Sequence, residues 1–317
     1  MKTSELDLEI EKGLSEHKQI INHDPDSNTD YQSLDPGTIV KYSLSNDLDI
    51  LLETHPNAWT PSSLFSLTMC QLVAADDLKG KVVMDFAGGS GMFGIVAGKC
   101  GAAKVICTEL NPYAVALQGR NWALNGLNPK DFHSFQSNCF AAVQGNPEIE
   151  GKVDRIYLNP PALPDTKEKL QARLQSAHEF RGGEWNRNGD RGRLVMDTLI
   201  ADGSSYLAPG GEILFIATSK NGPRLTYRLM EKYWGKGIQS NGDNPLDYCI
   251  NWEERGDANW AVVRRVNVPL ANYHTEFVQS YQKLADREGE PSPFLEKDGS
   301  IYQQLYFIRA KKALVKS

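Results

Sequence analysis

The chain has 317 residues, 40% of them hydrophobic and 23% charged, the balance of an ordinary globular protein and not of a disordered or fibrous one. Its net charge of −6 argues against a large nucleic-acid footprint, because neutralising phosphates takes clustered Lys and Arg. Cys70, Cys100, Cys107, Cys139 and Cys249 form no C-x-x-C pair and no zinc spacing, no apolar run is long enough for a membrane span, and Glu5, Asp7, Glu9 and Glu11 break the order of a signal peptide, so a reducing cytoplasm is expected.

Residues 3–22 carry apolar positions on one helical stripe (Leu6, Ile10, Leu14, Ile20, Ile21), and His23 to Asn28 read as a linker. Mixed strand-like patterns fill 36–53. The irregular stretch 53–63, with His55 and Trp59, leads into a helix near 62–76. From residue 81 strands are predicted at 81–86, 103–108, 132–137, 153–158 and 211–217, with helices at 91–100, 112–125, 165–179 and 192–207 between them. Such alternation predicts βαβ units and a parallel sheet. After 217 the pattern is helix 223–235, strand 248–254, strand 259–268, helix 274–286 and strand 301–311.

In open α/β sheets, ligands sit at the carboxyl ends of the strands. Asp85-Phe86-Ala87-Gly88-Gly89-Ser90-Gly91 occupies that place after the first predicted strand of the alternating region, where absent Cβ atoms let backbone approach a ligand. Glu109 ends the next strand, where a carboxylate can accept both hydroxyls of a ribose. After the fourth strand comes Asn159-Pro160-Pro161-Ala162. A carboxamide oxygen and a proline carbonyl there can each accept an N–H, which orients a nitrogen nucleophile, and the prolines stiffen the backbone that carries them.

Glu109-Leu110-Asn111-Pro112-Tyr113-Ala114-Val115, followed by Asn121-Trp122-Ala123-Leu124-Asn125-Gly126-Leu127, resembles the class I S-adenosylmethionine (SAM) dependent methyltransferases. The resemblance is to their small-domain group, which includes release-factor glutamine and ribosomal RNA guanine-N2 methyltransferases, and covers roughly 55–217. It implies that Asp85, Ala87, Gly89 and Gly91 lie beside the methionine part of SAM, Glu109 at the ribose and Asn138 at the adenine. It also implies that Asn159 and Pro160 act at the transferred methyl, with Asn159 at the cofactor edge. Three positions depart from the family pattern: Ala87 stands for a glycine, Asn138 for an aspartate, and Ala162 for an aromatic that would pack on the acceptor. Trp59 is one candidate to supply that ring, Trp185 another. The segment 180–193, with Arg181, Arg187, Arg191 and Arg193, reads either as a lid that clamps an anionic group or as a solvated connection. His274 and His55 lack partners for a metal site, and no metal is expected.

The expected fold is thus Rossmann-like α/β, a seven-stranded mostly parallel sheet with an antiparallel last strand. Residues 1–60 form a cap on a methyltransferase domain spanning 61–317. The expected reaction is N-methylation of a small molecule, an amino acid or metabolite, with nucleic acid and membrane not expected as partners. A protein glutamine, an RNA base, aminocarboxypropyl transfer from SAM, and SAM binding without catalysis stay open as alternatives.

Overall fold

The computed structural model of the protein describes residues 19–24, 34–45, 47–61, 64–162, 192–270 and 275–313, without the side chains of 275–277. The expected helix at 165–179 and most of the one at 3–22 lie outside these residues. The described chain divides into two units, one up to Glu148 and one from Ile149 onward.

In the first unit, β1 (Ile20–Asn22) runs parallel to β2 (Ile39–Ser45), and β2 is antiparallel to β3 (Leu48–Glu53). Ile20–Asn22 are therefore a strand and not the end of a helix. Their three residues share the period-2 burial of the hairpin beside them, in which Val40, Tyr42 and Leu44 point inward and Ser43 and Ser45 outward. The Tyr42 hydroxyl donates to the Pro61 carbonyl at 2.5 Å, tying the hairpin to the segment beyond it.

The same unit continues with α1 (Leu64–Ala75), β4 (Val82–Phe86), α2 (Met92–Lys99), β5 (Lys104–Glu109), α3 (Pro112–Leu124) and β6 (Phe132–Gln136). Strands β4, β5 and β6 pair in parallel, Asp85 opposite Cys107 and Glu109 opposite Gln136. Helix α3 begins where the sequence chemistry places it: the Asn111 side chain accepts the Tyr113 N–H at 3.0 Å, and Pro112 fills the first turn. Between α2 and α3 the approach is close. A Cβ added at Gly98 would lie 2.5 Å from the Trp122 ring, which is itself pinned by its Nε1–H to the Asn128 carbonyl at 2.9 Å.

The second unit holds β7 (Val153–Leu158), α4 (Leu194–Tyr206), β8 (Leu207–Thr218), α5 (Pro223–Trp234), β9 (Trp260–Pro269), α6 (Thr275–Glu288), β10 (Phe294–Lys297) and β11 (Ser300–Lys311). Strands β7 and β8 are parallel, and β11 runs antiparallel to β8, with β9 and β10 antiparallel to β11. The parallel strands with intervening helices and the antiparallel last strand are the Rossmann-like class expected from the sequence.

Two details differ. The expected strand 248–254 is a single bridge at Cys249 and then a 3-10 turn, Trp252–Glu254. The Asn251 side chain accepts the Glu253 N–H and closes the turn, a local bond that outcompetes strand propensity. Strand β10 was not expected at all. It pairs with β11 through Asp298-Gly299, both at positive φ (52° and 73°), as a two-residue primed hairpin turn requires.

Buried Glu212, in the middle of β8, lies 3.5 to 3.8 Å from Arg155, Arg309 and Lys311 and accepts the Trp252 indole N–H at 3.3 Å. It ties β7, β8 and β11 to the 3-10 turn. Arg193 is buried as well. It donates to Asp197, to Thr226 Oγ1 at 2.8 Å and to the Asn221 carbonyl, so it joins α4 to α5 and is no free anion clamp. No helix among the described residues is long and apolar enough to cross a membrane.

The Gly98–Trp122 crossing makes a direct prediction. Gly98→Ala should overpack it and destabilise the protein by about 1–3 kcal/mol. A denaturant midpoint unchanged from wild type would mean that the ring moves aside freely.

Candidate active site

The candidate cofactor site lies in the first unit, where β4 turns into α2. Ala87 and Gly89 adopt left-handed backbone (φ 52° and 53°), as does Gly91 (φ 87°). For alanine that region costs about 1–2 kcal/mol, so the departure from glycine at position 87 carries strain. Gly88 is needed for space: a Cβ there would lie 2.8 Å from the Asp85 carboxyl carbon.

Asp85 is fully buried beneath this turn. Its Oδ2 accepts the Gly94 N–H at 2.8 Å, while Oδ1 has no hydrogen-bond partner among the described residues; neither has the buried Ser90 Oγ. Burial raises the Asp85 pKa to about 8, against the Gly94 and Phe93 N–H groups that lower it and with the nearby Glu109 adding to the rise. A buried acid with one open oxygen at the mouth of a glycine turn suits the ammonium of an amino-acid moiety, and no cation of the described chain fills that role.

Glu109, half-buried at the end of β5, accepts the Gly89 N–H through Oε2 and the Asn111 N–H through Oε1, each at 2.8 Å. Each oxygen keeps a second lone pair, enough to receive a diol. Its pKa is raised by burial, and these backbone N–H groups oppose the rise. Asn138 is exposed in the turn after β6, one residue beyond Ser137, whose N–H bonds the Glu109 carbonyl at 2.7 Å.

Several residues matter here that were not singled out as site residues from the sequence. Gln118 donates to the Gly89 carbonyl at 2.8 Å and Asn121 to the Ser90 carbonyl at 3.0 Å, so α3 holds the loop by its oxygens. Asn111 donates to the Asn57 carbonyl at 2.7 Å. That bond fixes the segment with Trp59, which is half-buried, and His55, whose ring stacks on Tyr113 at 5.1 Å. His55 Nδ1 accepts the Asn57 N–H at 3.1 Å, and burial lowers its pKa to about 4, so the ring is neutral with its proton on Nε2, which has no hydrogen-bond partner among the described residues.

On the acceptor side, in the second unit, β7 ends at Leu158 and the chain continues into half-buried Asn159, buried Pro160 and part-buried Ala162. Arg181 and Trp185 lie outside the described residues. The first unit alone thus brings Asp85, Ala87, Gly89, Gly91 and Glu109 into one turn, with Asn138 at the next strand end.

Residues 62–179 match the family described as conserved hypothetical protein 95. A protein of Methanocaldococcus jannaschii described as a "putative protein N5-glutamine methyltransferase" is 33% identical over 183 residues, 57% of this chain and 83% of that protein. The chain belongs to the class I SAM-dependent methyltransferases. Ribosomal RNA large subunit methyltransferase K/L of Shewanella pealeana is 26% identical over 176 residues, 55% of this chain but only 22% of that protein. A crystal structure titled as a "putative methyltransferase complexed with SAH" aligns over 87% of this chain and 62% of its own, with a TM-score of 0.50 and 12% identity, a likeness of fold.

The methyltransferase is therefore an enzyme that uses SAM. The expectation of a small-molecule acceptor, with nucleic acid not expected as a partner, is overturned: these relatives are named for protein glutamine and for ribosomal RNA, both macromolecules. Whole-chain charge misled because it averages the surface and does not report a local docking face.

The buried acid sets a pH dependence. The folded-state pKa of Asp85, about 8, lies above its ordinary value of 3.8, so between the two the folded protein holds a proton that the unfolded chain has lost. The stability this contributes is complete below about pH 4 and is lost as pH rises toward 8. The free enzyme should weaken across that window in thermal melts, and Asp85→Asn should flatten the slope. An unchanged slope in the variant would assign the dependence to another group.

Proposed function

We propose that the enzyme methylates the side-chain amide nitrogen of a glutamine within a protein. The observation that carries this reading is Asn159-Pro160-Pro161 at the end of β7, in a chain related over most of its length to a protein named for that reaction. A primary amide offers two N–H groups. The Asn159 carboxamide oxygen and the Pro160 carbonyl accept one each, which fixes the nitrogen's orientation and leaves it facing the methyl to be transferred. Such alignment contributes several kcal/mol without a strong base.

Asp85, the Ala87–Gly91 turn and Glu109 hold SAM, with Asn138 at the adenine end. The open Oδ1 of Asp85 takes the ammonium group, and the two Glu109 oxygens take the ribose hydroxyls. When bound, SAM supplies the methyl as an electrophile, its sulfonium leaving as a neutral thioether. The nitrogen gains one bond to carbon and gives up one proton to water. Ala162 belongs to the acceptor side, where the missing aromatic leaves width for a polypeptide segment. A cytoplasmic location follows from this reading, since both SAM and newly made proteins are there.

The test is to supply methyl-labelled SAM with separate protein and RNA fractions of a cell extract. Label should enter protein and be released by acid hydrolysis as volatile methylamine, the product of cleaving an N-methyl amide. Label recovered in nucleosides would replace the reading with RNA-base methylation.

Two substitutions separate the halves of the site. Glu109→Ala should weaken SAM binding at least about tenfold by calorimetry, since hydrogen bonds to a charged group are worth about 1.5–3 kcal/mol. Asn159→Ala should leave SAM affinity nearly intact and cut turnover about 100-fold or more. Full turnover in Asn159→Ala would remove nitrogen orientation from the mechanism.

A further inference from the structure

Helix α3 and its cap carry four amides, Asn111, Gln118, Asn121 and Asn125, spaced seven, three and four residues apart and so aligned along one face. The first three are buried and the last half-buried. Buried amides are costly unless bonded, and each of these is bonded to backbone. Asn125 grips one residue of β3 at both ends, accepting the Leu51 N–H at 3.0 Å and donating to the Leu51 carbonyl at 2.7 Å. Gln118 touches the glycine turn, and Asn111 the segment after β3. Asn121 does both kinds of work with one side chain. Its Oδ1 accepts the Glu53 N–H at 2.7 Å, and its Nδ2 donates to the Ser90 carbonyl at 3.0 Å.

We infer that Asn121 is a positioning residue that couples the cofactor turn Gly88–Gly91 to β3 and to the His55–Trp59 segment that follows it. The inference rests on the reading that this turn holds SAM. The geometry supports a coupling and not two separate props. Asn121 is fully buried, so water cannot replace either bond. Its planar carboxamide fixes donor and acceptor relative to each other, so a shift of the Ser90 carbonyl moves or breaks the bond to Glu53. Glu53 is held a second time by Arg120, at 2.8 and 3.1 Å, from the neighbouring position on the same helix. Two residues further on, His55 stacks on Tyr113 of α3. The turn and the segment therefore share one rigid ruler, and ordering of either favours the other. By linkage this runs both ways: SAM steadies the segment, and the segment steadies SAM.

Asn125 is the matched control, because it holds β3 without touching the turn. Binding of SAM is measured by calorimetry on the full chain in wild type, Asn121→Ala, Asn121→Asp and Asn125→Ala. Hydrogen exchange is followed at the Thr54 and Ala58 amides, which bond to the Thr38 and His55 carbonyls and to neither asparagine. Asn121→Asp keeps the oxygen for Glu53 and loses the donor to Ser90. Both Asn121 variants should bind SAM about tenfold or more weakly, and Asn125→Ala within about twofold of wild type, even if it is as destabilised. SAM should slow exchange at Thr54 and Ala58 in wild type and in Asn125→Ala, and not in the Asn121 variants. Equal SAM affinities in the Asn121 and Asn125 variants overturn the coupling. So does wild type that binds SAM without slowing those amides, a result that stands even if no Asn121 variant folds. Wild type that binds no SAM fails the assignment of the turn itself, and that outcome is distinct from a failed coupling.

Discussion

The turn from β4 into α2 has almost no side chains with which to hold its own shape. Gly88, Gly89 and Gly91 leave the backbone open to close approach, and the same freedom must be removed again for a site to exist. The removal comes from outside the turn. Glu109 takes the Gly89 N–H from one side, and Gln118 and Asn121 take the Gly89 and Ser90 carbonyls from another. Because those side chains stand at the end of β5 and along α3, the βαβ crossover becomes the scaffold of the cofactor loop. The hairpin β2–β3, which is anchored to the same helix, becomes part of that scaffold too.

The electrostatics follow from the same economy of side chains. Asp85 and Glu109 are desolvated, and backbone N–H groups, not cations, oppose the upward shifts of their pKa values. Partial charges on N–H groups soften desolvation without cancelling it. The free protein is therefore left with more acid than it can comfortably ionise. An oxygen of Asp85 with no hydrogen-bond partner among the described residues is a cost to the free fold that, on the proposed reading, a cationic amino-acid moiety relieves. That reading links the pH dependence of stability to the chemistry of binding through one buried carboxyl.

Much of this was legible in the sequence because it was written in local signals. The alternating strands and helices from Val82 to Leu158 and the cap at Asn111-Pro112 depend on residues close together in the chain. The acid at Glu109 needed only its place at a strand end. The Asp298-Gly299 hairpin was equally local and still escaped notice, because the short strand β10 before it alternates weakly: only Phe294 is part-buried. The strand expected at 248–254 failed for the opposite reason, a strong apolar pattern undone by one asparagine that closes a turn. What no local pattern announced was the long-range use of α3. Asn121 and Asn125 bond to residues 68 and 74 positions earlier in the chain, so their role appears only when β3 is laid against the helix.

The acceptor class was the expectation that failed, and its failure has a physical cause. Cofactor recognition is read from residue types at strand ends, because every SAM presents the same ammonium, ribose and adenine. Acceptor recognition has no such fixed chemistry. On the proposed reading Asn159 and Pro160 supply only the last step, two carbonyl oxygens for two N–H groups, and that chemistry serves a glutamine amide or an exocyclic base amine alike. On that same reading, discrimination between them falls to shape around the nitrogen and to Ala162, where the family pattern has a ring. The segment carrying His55 and Trp59 is tied through Asn111 and Asn121 to the same helix that holds the glycine turn, so the positions of turn and segment are set together.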